Sequence, residues 1–229
     1  MTHAVANHDF NNTDYETAMH YVQDECPDTY FILIDCVPKS LEGEEKIGEN
    51  VLCLATAEQE SGFLAGYAAV MDGYRDLGFI GGVAVPGVMR YGYGFVAGAD
   101  CAAKELGLAK DDVKVRYNYA GTFDASPEVL SLASSWYQSG TEVIFACGGM
   151  LGNSVMKAAE TYGKKVIGVD SDQSGESETV ITSAMKDVGG GINSILTNHM
   201  QGIETDGGQQ LVLDSSNNAV GLPMKTSKF

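Results

Sequence analysis

The stretch from Val143 to Gln173, VIFACGGMLGNSVMKAAETYGKKVIGVDSDQ, carries two kinds of group that can hold a polar ligand. Gly148 and Gly149 end an apolar run and precede a helical pattern, so backbone N–H groups at a helix start are open to close approach. Asp170 ends the next apolar run, KVIGVD, twenty-one residues after Gly149. A carboxylate there can accept two hydrogen bonds from a cis-diol. In open parallel sheets ligands bind outside the C-terminal ends of the strands, where both groups fall. Asp14, in HDFNNTD, and Lys186, after VITSAM, occupy junctions of the same kind. Asp14 and Asp170 belong to different α/β series, and two such junctions facing a cleft would clamp a ligand from both sides. A plainer alternative stands beside each: the glycines only make a turn, Asp170 caps a loop, and Lys186 is a solvated lysine.

Other chemistries fit less well. A dinucleotide fingerprint needs G-x-G-x-x-G after a strand; here Cys147 takes the first glycine's place and only Gly149 and Gly152 fit. This unit also comes late in the chain, after several others. The histidines, His3, His8, His20 and His199, are isolated, and no G-x-S-x-G or Walker motif occurs. Asp35 and Asp170 could do acid–base work at strand ends, but no sequence motif joins either to a nucleophile. Cys26, Cys36, Cys53, Cys101 and Cys147 show no C-x-x-C spacing, so free thiols are expected, with no metal and no cofactor. A net charge of −17 disfavours nucleic acid as a partner. No apolar run reaches the ~18 residues of a membrane helix.

These groups need a scaffold, and the 229 residues supply one. Helical and strand patterns alternate, which predicts α/β architecture with parallel sheets. Strands are expected at Tyr30–Asp35, Asn50–Ala55, Leu77–Pro86, Val113–Tyr119, Glu142–Cys147, Lys165–Asp170, Glu178–Met185 and Gln210–Asp214, with another near the N-terminus. Helices are expected at Asn12–Asp24, Glu58–Tyr74, Met89–Leu106, Ser126–Ser139, after Gly152, and Asp187–Gln201. Asn12 or Thr13 can cap the first helix, with Glu16 as capping-box partner. Gly92, Gly94 and Gly98 inside one helix predict a close-packed neighbour. The domains expected are 1–76, with the return of about 203–229, and 77–202.

Several segments together resemble the basic membrane protein family of substrate-binding lipoproteins. They are QESGFLAG (59–66), FIGGVAVPGVMRYGYGFVAGA (79–99), VRYNYAGTFDASP (115–127), ACGGMLGN (146–153), GVDSDQ (168–173) and TSAMKDV (182–188). GVDSDQ with GG-x-x-GN is the more specific combination. The resemblance implies a type I periplasmic-binding-protein-like fold of two parallel-sheet α/β domains. It also implies a purine nucleoside ligand and an ABC permease partner. In residue terms it implies that Asp14 and Asp170 contact the ligand and that Tyr91, in R-[FY]-x-x-GF, stacks on the base. Gly148 and Gly149 would give backbone access, and Lys186 would reach the ligand. Phe123 and Asp172 are weaker candidates, Asp172 more as a loop-holding group.

The family's signal peptide, lipidated cysteine and Ser-Phe-Asn-rich first loop are not found in this sequence. The expectation is a chain truncated at both ends, its N-terminal domain incomplete, from an extracytoplasmic, membrane-anchored lipoprotein. An open sheet edge could then pair two copies into a homodimer. A sugar- or nucleoside-sensing regulator of the same fold is the alternative, and a nucleoside-processing enzyme a more distant one.

Overall fold

The computed structural model describes residues 2–7, 14–203 and 207–229, with side chains from residue 15 onward. The chain divides into two compact units, residues 1–56 with 187–219, and residues 57–186 with 220–229.

The first unit holds a four-stranded parallel sheet in the order β1-β2-β3-β9. Its strands are β1 (Thr2–Asn7), β2 (Thr29–Ile34), β3 (Val51–Thr56) and β9 (Gln209–Leu213). Helix α1 (Asp14–Glu25) packs Met19 and Val22 against Phe31, Leu33, Val51 and Cys53. Helix α6 (Val188–Met200) buries no residue. Asp187 caps it by accepting from the Gly190 N–H at 2.8 Å. The capping residues expected for α1, Asn12 and Thr13, lie outside the described residues.

The second unit is a three-layer sandwich. Its sheet runs β10-β8-β7-β6-β4-β5, parallel apart from β10. The strands are β4 (Asp76–Gly81), β5 (Lys114–Tyr119), β6 (Val143–Cys147), β7 (Lys165–Asp170), β8 (Val180–Lys186) and β10 (Val220–Gly221). Helices α2 (Glu58–Met71) and α3 (Pro86–Glu105) cover one face, and α4 (Pro127–Gln138) and α5 (Leu151–Tyr162) the other. The two-residue period of β6 serves both layers. Val143, Phe145 and Cys147 point to one core, Ile144 and Ala146 to the other.

Helices α2 and α3 interlock through glycines. A Cβ added at Gly66 would lie 2.0 Å from the Phe95 carbonyl oxygen, and one at Gly98 2.0 Å from that of Phe63. The neighbour anticipated for the glycine-bearing helix is therefore α2.

Three expectations about domain organisation change. The first boundary falls after Thr56 rather than 76, because α2 packs on α3 and belongs to the second unit. Helix α6 belongs to the first unit, not the second. The return is split, since residues 220–229 join the second unit. There Val220–Gly221 pairs antiparallel with β8, and the Lys228 N–H donates to the Ile181 carbonyl at 2.7 Å.

Candidate functional site

The order of strands reverses between β4 and β6, so the second unit has a switch point where two crossovers leave in opposite directions. Gly82 follows β4 and Gly148 follows β6, and the Gly82 N–H donates to the Cys147 carbonyl at 2.9 Å. The half-buried ring of Phe123 lies against both. A Cβ at Gly82 would come within 2.4 Å of that ring, and one at Gly148 within 2.8 Å. Gly148 is buried at φ 149°, Gly149 exposed at φ 48°. The close approach that Gly148 permits is thus taken by Phe123, not left open to a ligand. Gly149 remains at the surface of the turn.

Asp170 ends β7, the strand beside β6. Its backbone is left-handed, φ 63°, a conformation that a short polar side chain tolerates better than most. Its side chain is 50% exposed. The Tyr91 hydroxyl donates to Asp170 Oδ1 at 3.1 Å, and Lys186 Nζ stands 3.8 Å from the same oxygen. Lys186 ends β8, the next strand over, and is 14% exposed.

Behind these groups lies a charge that the sequence did not single out. Glu58, the first residue of α2, has a fully buried side chain. Arg90 Nε donates to its Oε2 at 2.7 Å, and Lys186 Nζ is 3.7 Å from its Oε1. Two cations therefore stand beside this buried carboxylate. The sequence did hold a signal. Glu58 occupies a strand-to-helix junction, as Asp14 does, and Arg90 stands in the R-[FY]-x-x-GF motif beside Tyr91.

Tyr91 does not take the place expected of it. It is 2% exposed, with Phe145 edge-on at a centroid distance of 5.8 Å. A ring so enclosed has no face to offer a base. Burial, then the charge of Asp170, holds its hydroxyl well above the ordinary phenol range, so it stays a donor. Tyr91 orients Asp170, and Phe123 is the ring at the switch point. Cys147 is buried, and burial, then the charge of Asp170, pushes its thiol up, which leaves it inert as a nucleophile.

Asp172 holds the tail. It accepts from the Thr226 hydroxyl at 2.7 Å and the Ser174 N–H at 3.0 Å. Asp14 is the first residue of α1, and its side chain lies outside the described residues. The structure therefore brings together Asp170, Lys186 and Tyr91 with Glu58 and Arg90, near the Phe123 turn. Among the described residues no group of three or more His, Cys, Asp or Glu is arranged to hold a metal, and no helix is long and apolar enough to cross a membrane. What the cluster can do is accept hydrogen bonds from a polar ligand and offer it a flat apolar surface.

The chain is 34% identical over 183 residues to basic membrane protein D of Borreliella burgdorferi, covering 78% of this chain and 52% of that one. It is 30% identical over 224 residues to an ABC transporter nucleoside-binding protein, BmpA, of Lactococcus lactis, covering 89% and 60%. The chain spans about half the length of the curated relatives it matches. Among solved structures, a solute-binding protein of an ABC transporter system from Aeropyrum pernix superposes with a TM-score of 0.76 at 20% identity. That match covers 92% of this chain and 58% of the other. The fold is thus the periplasmic-binding-protein-like α/β architecture implied by the sequence. The model of the Bmp family, described as ABC transporter substrate-binding protein, PnrA-like, matches residues 10–229, and the chain belongs to that family.

Proposed function

We propose that the chain is the ligand-holding part of an extracytoplasmic, lipid-anchored receptor that binds a purine nucleoside and delivers it to an ABC permease. The observation that carries this is Asp170. It is a half-exposed carboxylate at a strand end, oriented by Tyr91 and Lys186, one strand away from the switch point where Phe123 lies. Neighbouring strands are ~4.8 Å apart, so a carboxylate and a ring on this edge suit the two halves of a nucleoside. Asp170 accepts the ribose hydroxyls, and the Phe123 ring stacks on the base. Lys186 balances the charge of Asp170, and Gly149 leaves the turn accessible. The nucleoside-binding name of the Lactococcus relative supports the same ligand class.

Binding rather than turnover follows from the chemistry present. The family's members are substrate-binding proteins. The one buried thiol beside Asp170 is held protonated, which leaves no activated nucleophile there. A polar site of this sort discriminates well, because an analogue without a hydroxyl leaves a desolvated acceptor unpaired.

Isothermal titration of this chain with guanosine and inosine tests the proposal. Saturable binding of at least one is expected, and Asp170→Ala should weaken it about 100-fold, the loss of two charge-assisted hydrogen bonds. Unchanged affinity in that variant would remove Asp170 from the site. Release of free base, followed by chromatography, would favour an enzyme instead.

A further inference from the structure

The two edges of the second unit's sheet differ. At one, the tail covers β8: Val220–Gly221 pairs with it, and the Lys228 N–H donates to the Ile181 carbonyl at 2.7 Å. At the other, β5 is the last strand, and among the described residues no strand pairs with its outer side. The Lys114 N–H donates to the Arg75 carbonyl and the Ala120 N–H to the Gly81 carbonyl, each at 2.8 Å and each toward β4. The even-numbered residues of β5 therefore turn their backbone groups inward. Val115, Tyr117 and Tyr119 turn theirs outward, three N–H and three C=O groups along one edge.

Edges are commonly guarded by a cation, a proline or a bulge. This strand reads KVRYNY, without proline, and its register on β4 is unbroken. Its central cation is drawn aside: Arg116 Nε stands 3.5 Å from Asp76 Oδ1, and its Nη1 donates to Ser139 Oγ at 2.9 Å. Beside the edge lies a groove of about 680 Å³ between α3 and β5, lined by Tyr93, Val96, Ala97, Leu108, Val113 and Val115. Tyr93 is 74% exposed, the most exposed aromatic ring among the described residues. Apolar surface of this kind, next to open backbone groups, marks an interaction face.

We propose that this edge and groove bind a second copy of the chain, β5 against β5, antiparallel about a two-fold axis at Tyr117. The three outward residues are symmetric about Tyr117, so in this register all of them pair. Val115 exchanges hydrogen bonds with Tyr119 of the partner subunit, and Tyr117 with its own counterpart. A slip of two residues would leave an outward residue unpaired on each copy. Lys114 then faces Ala120 of the partner subunit and Arg116 faces Asn118 of the partner subunit, so no like charges stand directly opposite. Two chains of net charge −17 also repel least here, because β5 alone of the strands carries two cations and no acid. A six-residue strand, ~20 Å long, falls short of the ~800 Å² that each partner buries in a stable complex. Helix α3 supplies the remainder. The Tyr117 hydroxyl fills the space that a Cβ of Gly92 would take, so Tyr93 falls near the axis and meets its counterpart.

Sedimentation velocity on this chain, at concentrations up to about 100 μM, tests the proposal. A species of twice 24.3 kDa is expected. Tyr93→Glu alters an exposed side chain and should leave the circular dichroism spectrum unchanged. It places two like charges near the axis, and should raise the dissociation constant at least about 100-fold. The register is read by oxidation in a Cys26→Ser/Cys101→Ser background, which removes the exposed thiols. Tyr117→Cys should link two copies, since its Cα atoms would stand ~5.5 Å apart. Val115→Cys should not, because four residues of offset hold its Cα atoms more than ~13 Å apart. A chain that stays monomeric overturns the proposal, as does a dimer that Tyr93→Glu leaves intact or cross-linking at Val115→Cys in place of Tyr117→Cys. So does a dimer lost in Val212→Lys, on the exposed edge strand β9 of the first unit, and kept in Tyr93→Glu. Should Tyr117→Cys not fold, the Tyr93→Glu comparison decides by itself.

Discussion

Each unit ends a parallel strand in an aspartate with left-handed backbone, Asp35 after β2 at φ 62° and Asp170 in β7 at φ 63°. Their surroundings differ. Asp170 has the Tyr91 hydroxyl and the Lys186 ammonium beside it, with Glu58 and Arg90 behind. Asp35 lies with Glu16 close enough to Cys36 to oppose ionisation of its thiol, which burial above all pushes up to about 12. What marks Asp170 out in the proposed site is the Tyr91 hydroxyl and the Lys186 ammonium at one of its oxygens.

The helices that follow the first two of the three chain crossings differ in the same way. Helix α2 starts after the crossing at 56/57 and buries seven residues, while α6 starts after 186/187 and buries none. Helix α2 contains two glycines and α6 three. In α2 they give close contact, whereas Gly189 in α6 meets nothing nearer than Asp187 Oδ1 at 3.8 Å. The largest effect expected in the molecule tests this contrast. Gly66→Ala forces a methyl to 2.0 Å from the Phe95 carbonyl oxygen, backbone against backbone. It should cost about 3 kcal/mol or more, or leave no folded protein. Gly189→Ala should be neutral or stabilise by up to about 1 kcal/mol. Urea unfolding of both variants decides it; equal losses would mean that the glycines of the two helices serve one purpose.

The alternation of helix and strand, and most element boundaries to within a few residues, were legible in the sequence. Apolar periodicity records burial on a sheet face, and KVIGVD or EVIFAC can hardly be anything but a strand between two layers. Ser126 and Pro127 likewise mark a helix start by local chemistry alone, and the Ser126 side chain does accept from the Val129 N–H. What local pattern does not record is which unit an element joins. Helix α6 has helical period but no buried face, and the two-residue β10 is too short to show a period at all. The site was half legible for a related reason. Asp170 and Lys186 sit at strand ends visible in the sequence. That Tyr91 would be sealed against Phe145, with Phe123 at the turn, depends on tertiary packing. Glu58 had only its strand-to-helix junction to mark it, and its burial beside Arg90 also depends on tertiary packing.

A second, smaller contrast concerns the two aspartates themselves. Asn tolerates left-handed backbone, so Asp170→Asn and Asp35→Asn should both fold. Asp170→Asn removes the charge but keeps an acceptor for Tyr91, and should weaken guanosine about 30-fold, ~2 kcal/mol. Asp35→Asn should change it less than about twofold, the usual size for a substitution outside the proposed site. Titration calorimetry on both checks this. Equal weakening would make Asp35 a ligand group and erase the difference between the units.

The smallest expected effect belongs to the tail, which the sequence assigned to the first unit and the structure to the second. Thr226 is its polar latch, donating to Asp172, and that bond, followed by the Ser174 N–H, lowers the Asp172 carboxyl below the ordinary range. A group whose folded pKa is depressed adds stability above its unfolded value, and that contribution disappears as pH falls through the folded value. For Asp172 the window therefore opens near pH ~4 and extends downward. Thr226→Val should lower the melting temperature at pH 7 by at most about 2 °C, because the carboxylate is exposed and screened. The difference between variant and parent should narrow below pH ~4 as Asp172 takes up its proton in both. Asp214 in the first unit is depressed in the same direction by the Ser216 hydroxyl, so Ser216→Ala provides the matched comparison. A Thr226 effect that widens on acidification would mean the tail is held by its apolar contacts at Val220 and Leu222 and by its backbone bonds to β8. Asp172 would then be incidental to the second unit's claim on it.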